Sequence, residues 1–319
     1  MMKAVLHDRY GGPDVLYVGR VPRPEPGPGE VLVKVHAFSV NGGELAARSG
    51  RLRLLLGRRF PRRVGLDFTG EVAERGAGVT RFAPGDRVWG VLGRTSRSGS
   101  AAEYVTVPAE RVGLVPDSLD PVDAAALPVA TTAVTALRAK AGLRPGERLL
   151  VRGAAGGVGN AAVQLGRAYG AEVTALARAA NLDLVRELGA HEAVDHRSVR
   201  PADLGRFDVV LDTVGTELRS YRRLLNPGGR MVTIAFDLGR PVTSLGYVAG
   251  SALHGRGRVR FFSGNPRQSD LDALARHVTE GALRPVVDTV FPLEETAEAH
   301  RALEAGGVRG KYVVRVAAE

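Results

Sequence analysis

The segment Val151-Arg152-Gly153-Ala154-Ala155-Gly156-Gly157-Val158-Gly159 follows the apolar run Leu149-Leu150-Val151 and opens a stretch of helical periodicity towards Tyr169. Glycines at such a strand-to-helix turn let the backbone bend tightly and approach a pyrophosphate, whose charge the helix N-terminal amides and dipole then hold. The spacing is an A-x-G-G-V-G variant of the dinucleotide fingerprint, and its context fits: a strand before, a helix after, and a second strand completing a unit of about 30 residues. Ala155, Gly156, Gly157, Val158 and Gly159 are therefore assigned to phosphate contacts.

Which dinucleotide is decided at the end of the second strand, where an Asp or Glu would accept hydrogen bonds from the adenosine ribose 2′-hydroxyl. Ala177-Arg178 stands there instead. An acid would repel a 2′-phosphate, whereas Arg178 pairs with it, so the expected cofactor is NADPH, with Asn181 and His196 adding contacts. Asp183, the nearest acid, falls in the first turn of the next helix, where it complements the helix dipole and is structural.

These residues need a scaffold. With 319 residues the chain exceeds the size of about 250–300 at which single cores stop growing, so an internal boundary is expected. No stretch approaches the roughly 18 uninterrupted apolar residues of a membrane span, and no membrane partner is expected. The N-terminus meets charge at Lys3, His7, Asp8 and Arg9 before any secretory segment forms; it reads as a first strand, with the cytoplasm as the expected location. Up to about Asp120, short β-branched runs such as Val31–Val35, Gly70–Ala73, Asp86–Gly90 and Ala102–Val107 are punctuated by Gly and Pro, which predicts a partly open β-barrel. Beyond Pro121, strands alternate with amphipathic segments of helical length, the signature of βαβ units and a doubly wound parallel sheet. The fold class is α/β.

Cysteine is absent, which removes disulfides, thiolate nucleophiles and every zinc site that uses sulfur. The formal charge of +10 comes from forty arginines and only four lysines, spread through every segment without a basic run interleaved with aromatics, so no nucleic-acid partner is expected. The densest cluster, Arg51 to Arg63, alternates with leucines and reads as a solvated helix face with its leucines inward.

Several segments together resemble the zinc-independent quinone oxidoreductases (zeta-crystallin-like) of the medium-chain dehydrogenase/reductase superfamily. They are Gly65-Leu66-Asp67-Phe68-Thr69-Gly70-Glu71-Val72, Gly85-Asp86-Arg87-Val88, Thr131-Thr132-Ala133, Ala155-Gly156-Gly157-Val158-Gly159, Asp208-Val209-Val210-Leu211-Asp212-Thr213-Val214-Gly215 and Asn226-Pro227-Gly228-Gly229-Arg230. The resemblance implies a GroES-like barrel as catalytic domain over 1–120 and 268–319, with an inserted Rossmann domain over 121–267. It implies hydride delivery from NADPH to a quinone or another α,β-unsaturated carbonyl. Asn41 near the nicotinamide and Thr131, whose hydroxyl is placed to bond the carboxamide or the substrate, are the implied catalytic residues. Because ligands bind outside the carboxyl ends of parallel strands, Thr213, Val214, Ala235, Phe236, Phe262 and Ser263 are expected to contact the cofactor as well. Lys311 is expected to close over the nicotinamide end, and a homodimer through Val259 to Ser263 is implied.

Two departures from relatives bear on the chemistry. Gly65-Leu66-Asp67 stands where zinc-using relatives carry Gly-His-Glu, so no metal is expected and alcohol dehydrogenation of the zinc type is disfavoured. Asn41-Gly42-Gly43-Glu44 replaces the usual Asn-Pro-x-Asp/Glu, and no tyrosine lies between Tyr17 and Tyr104 to act as an acid. The alternatives are a stand-alone enoyl or enone reductase of acyl or polyketide metabolism, and a non-catalytic NADPH-binding protein.

Overall fold

A computed structural model of the chain describes residues 1–93, 98–237 and 239–316. The contacts divide them into two units, one comprising residues up to Val129 together with those from Asn265 onward, the other Ala130–Gly264.

The first unit grows from the strand Glu30–Ser39, in which Val31, Val33 and Val35 point into one core with Phe68, Val72 and Val88. β-branched side chains suit this pleated, buried surface. Glu30–Ser39 pairs antiparallel with Asp67–Arg75, with Tyr104–Pro108 and, at its carboxyl end, with Lys311–Arg315 near the C-terminus. Arg87–Val91 and Val112–Leu114 extend the sheet beyond Asp67–Arg75. A separate three-stranded sheet places Met2–His7 between Tyr17–Val21 and Arg62–Arg63.

Two segments depart from the sequence expectations. The strand Val287–Pro292, which runs parallel beside Lys311–Arg315, has mostly exposed positions and so no apolar alternation to announce it. In the arginine-leucine cluster the helix is only Arg53–Leu56, a single turn with no face to bury, and Leu54 and Leu55 are 95% and 84% exposed rather than inward.

In the second unit six parallel strands lie in one sheet: Arg148–Arg152, Glu172–Ala177, Glu192–Asp195, Phe207–Asp212, Leu225–Thr233 and Val259–Phe261. Their spatial order is third, second, first, fourth, fifth, sixth. This is the doubly wound Rossmann order, whose direction reverses between the first and fourth strands and opens a crevice at their carboxyl ends. The core strands are buried along nearly their whole length, as parallel strands covered on both faces must be. The chain is thus an α/β protein that combines a largely antiparallel sheet unit with a Rossmann-type parallel sheet. Among the described residues no helix is long and apolar enough to cross a membrane.

Candidate functional site

The Gly-rich turn lies at the carboxyl end of the first strand, Arg148–Arg152, beside the point where the sheet reverses. Gly153 has φ +70°, a left-handed conformation open to glycine at little cost. Gly156 caps the helix Gly157–Ala168 without any side-chain cap. A Cβ on Gly159 would sit 2.0 Å from the Gly153 carbonyl oxygen, so only glycine lets the helix start this close to the turn. The first helical amides, those of Gly157, Val158 and Gly159, have no partner within the helix and are available to an anion. Asn160 braces the turn by donating from Nδ2 to the carbonyls of Gly156 and Gly157 at 3.0 and 3.1 Å.

The remaining residues expected at the cofactor follow the carboxyl ends of the other five strands. Arg178 comes directly after Glu172–Ala177; the residue is half-buried and its guanidinium has no ion-pair partner among the described residues. The exposed His196 follows Glu192–Asp195 and is turned back by its ring Nδ1, 2.8 Å from the Ala177 carbonyl oxygen. Arg178 and His196 thus flank the same residue. Asn181 is buried one turn further on, and Asp183 pairs with Arg186 at 2.7 Å on the exposed face of its helix. Asp195, in register with Ala177, accepts the Arg197 amide at 3.1 Å.

Thr213 and Val214 follow the fourth strand, Ala235 and Phe236 the fifth, Phe262 and Ser263 the sixth. Thr213 donates its hydroxyl to the Arg152 carbonyl at 2.8 Å, tying the fourth strand's loop to the phosphate turn, and Val214 is 45% exposed. Phe236 meets Phe261 edge to face at 5.6 Å, and the Lys140 ammonium lies over the Phe262 ring at 5.8 Å. Thr131 is buried at the first position of the helix Thr131–Val134 in this same unit.

Sequence reasoning missed the pair beneath this crevice. Arg152 and Asp212 end the first and fourth strands, both buried, with Nη1 2.6 Å from Oδ1. The Arg152 guanidinium also stacks on Tyr221 at 3.6 Å. Asp212 accepts the Gly215 amide at 2.9 Å and the Thr233 hydroxyl at 2.9 Å, so it fixes the loop carrying Thr213 and Val214 as well as ending its strand. Burial pushes its carboxyl above the usual carboxylate range, opposed by Arg152 and these donors.

A second polar cluster lies inside the barrel unit. Asn41, placed by the sequence at the nicotinamide, donates from Nδ2 to Glu44 Oε1 and Asp67 Oδ2, each at 3.0 Å, and to the Ser39 carbonyl at 3.1 Å. Its Oδ1 accepts from Lys311 Nζ at 2.7 Å. Lys311, expected over the nicotinamide end, has its ammonium engaged here, with a further bond to the Val40 carbonyl at 2.8 Å. Asp67 accepts the Ser39 amide and hydroxyl at 2.7 and 2.6 Å, and Glu44 accepts the Gly65 amide at 2.9 Å. Glu44, Asp67 and Lys311 are all nearly inaccessible to water. Burial first, and the nearby Asp67 second, push Glu44 up to about 7. Burial lowers Lys311, and the two carboxylates oppose that shift.

Residues 27–117 match the Alcohol dehydrogenase GroES-like domain family and residues 188–314 the family described as Zinc-binding dehydrogenase. A quinone oxidoreductase of Sus scrofa is 33% identical, the match covering 98% of both chains. The solved quinone oxidoreductase from Coxiella burnetii superposes with a TM-score of 0.88 at 30% identity, covering 99% of both chains. This chain belongs to the quinone oxidoreductase branch of the medium-chain dehydrogenase/reductase superfamily. The mitochondrial NAD(P)H oxidoreductase RTN4IP1 of Danio rerio is also similar, 34% identical over 99% of this chain and 92% of that one. The chain is accordingly an oxidoreductase of an NAD(P)H-dependent family. The Rossmann sheet has its crevice at the carboxyl edge, and the polar cluster of the other unit sets the Lys311 ammonium among Asn41, Asp67 and Glu44.

Proposed function

We propose that this oxidoreductase reduces quinones or other α,β-unsaturated carbonyls with NADPH and without zinc. The observation that carries the reading is the make-up of the barrel cluster, in which the Lys311 ammonium, within 2.7 Å of Asn41, is the cation set against Asp67 and Glu44. Zinc does not fit this donor set: the chain has no cysteine, the cluster has no histidine, and its carboxylates already accept hydrogen bonds from the Ser39 amide and hydroxyl and the Gly65 amide beside the Lys311 ammonium. Without a Lewis acid to stabilise an alkoxide, the acceptor must carry its own electron sink, which quinones and enones do. The pig and Coxiella quinone oxidoreductases, similar over nearly the whole chain, support that class.

A bound reduced nicotinamide would supply the hydride. The chain's part is to bind, orient and exclude water. The amides around Ala155–Gly159 would hold the pyrophosphate, and Arg178, His196 and Asn181 the adenosine end, where the unpaired guanidinium favours a 2′-phosphate. Thr213, Val214, Ala235, Phe236, Phe262 and Ser263 would line the path along the strand ends, and Thr131 would offer a hydroxyl at the reacting end. Asn41 and Lys311, whose polar atoms are engaged with one another, are assigned to positioning: they fix the start of the helix Gly42–Arg48, which Asn41 precedes. The proton that completes reduction comes from water.

A homodimer fits this reading, since Val259–Phe261 is an edge strand with one side unpaired among the described residues, and a cytoplasmic location completes it. Initial rates of NADPH oxidation with quinones, enones, enoyl thioesters and simple aldehydes, in the presence of a chelator, test the function. Quinones or enones should turn over and aldehydes should not. Consumption restricted to enoyl thioesters would assign the enzyme to acyl metabolism, and tight NADPH binding without any oxidation would make it a binding protein.

A further inference from the structure

We infer that the segment Arg51–Arg59 is a docking surface for an anionic lipid bilayer. From Leu45 to Leu66 the chain carries seven arginines and no acid, so this stretch holds the greater part of the formal charge of +10. Arg48 is buried and paired with Glu304, and Arg62 lies over the rings of Tyr10 and Phe60, at 5.9 and 5.6 Å, and donates to the Leu56 carbonyl. Tyr10 adds a bond from its hydroxyl to the Gly57 carbonyl and packs edge to face on Phe60 at 5.1 Å. These contacts anchor the base of the segment and turn its tip outward. At the tip Leu54 and Leu55 stand 95% and 84% exposed, flanked in the sequence by the exposed Arg51, Arg53, Arg58 and Arg59. None of these four arginines has an ion-pair partner among the described residues.

Singly exposed leucines are ordinary, but an adjacent exposed pair between exposed arginines without ion-pair partners is a specific chemical pattern. A polyanion such as nucleic acid would meet the arginines and leave both leucines in water. An apolar protein groove would take the leucines and desolvate the arginines without return. The interface of an anionic bilayer satisfies both, with headgroups at the level of the guanidiniums and acyl chains just below them. Docking is peripheral and holds whether the acceptor is a quinone or an enone.

The test is sedimentation of the full-length protein with unilamellar vesicles of phosphatidylcholine alone and of phosphatidylcholine mixed with phosphatidylglycerol. Binding to the mixed vesicles at low salt, loss at high salt and absence on pure phosphatidylcholine are expected. Leu54→Ser/Leu55→Ser should weaken mixed-vesicle binding about tenfold, and Arg58→Ala/Arg59→Ala about thirtyfold. All of these side chains are exposed, and thermal melts confirm that the variants fold. A short DNA duplex is the polyanion control, and its affinity should not change on removal of the leucines. No binding of the wild type to mixed vesicles, binding unchanged in both variants, or vesicle and duplex affinities equally indifferent to the leucines would each overturn the inference.

Discussion

Lys311 Nζ lies 2.7 Å from Asn41 Oδ1, a contact between residues 270 positions apart that joins the last strand to the loop after Glu30–Ser39. The same ammonium faces Asp67 and Glu44, so it is both a tie and a counter-charge. Lys311→Met leaves two buried carboxylates without their cation. It is expected to destabilise the protein by about 3–5 kcal/mol in urea unfolding. Where the variant is still folded, KM for the acceptor should rise more than kcat falls, because the start of the helix Gly42–Arg48 loses its anchor.

Two buried groups give opposite pH dependences. Glu44 is raised from 4.5 to about 7, so the folded state holds its proton longer than the unfolded chain does. Its contribution therefore decreases as pH rises from about 4.5 through 7. Glu44→Gln, a neutral replacement, should flatten the stability profile over that interval.

His300 behaves in the reverse sense. It is fully buried, both ring nitrogens lack hydrogen-bond partners among the described residues, and burial, then Arg48 and His7, lower it to about 3. The unfolded chain takes up a proton that the folded state refuses, so stability is lost as pH falls from about 6.5 towards 3. His300→Leu should lose much less stability over that interval, as read from denaturant midpoints at successive pH values.

The phosphate turn supplies a steric prediction. A Cβ at residue 159 would collide with the Gly153 carbonyl at 2.0 Å, so Gly159→Val must displace the turn from the helix start. NADPH binding, followed by nucleotide fluorescence, should fall beyond detection while the circular dichroism of the sheet is kept.

The Rossmann unit was legible because its signals are local. Glycines punctuate a strand-helix alternation, and the run Glu172–Ala177 is apolar and β-branched between polar ends, so its bounds follow from the residues alone. Asn41 and Lys311 were singled out by the resemblance, but their meeting with Asp67 and Glu44 was not legible, because these residues come together only through contacts over long separations. Asp212 was readable as the end of a strand, but its partner Arg152 looked like one more arginine in an arginine-rich chain. Leu54 and Leu55 misled for a different reason: alternation with arginine suggests an amphipathic helix, yet Gly57 follows Leu56 directly at φ +70° and the helix stops after one turn.

NADPH selection by Arg178 and hydride transfer onto an activated acceptor are both read by one measurement. It is kcat/KM for NADPH and for NADH with 1,4-benzoquinone, in wild type and in Arg178→Ala, with a chelator present. The wild type should turn over the quinone and prefer NADPH. Removing the guanidinium, a charged partner for the 2′-phosphate, should cost NADPH about tenfold to a hundredfold and leave NADH nearly unchanged. Equal losses for the two nucleotides would contradict the role of Arg178, and absence of quinone reduction by the wild type would contradict the function itself.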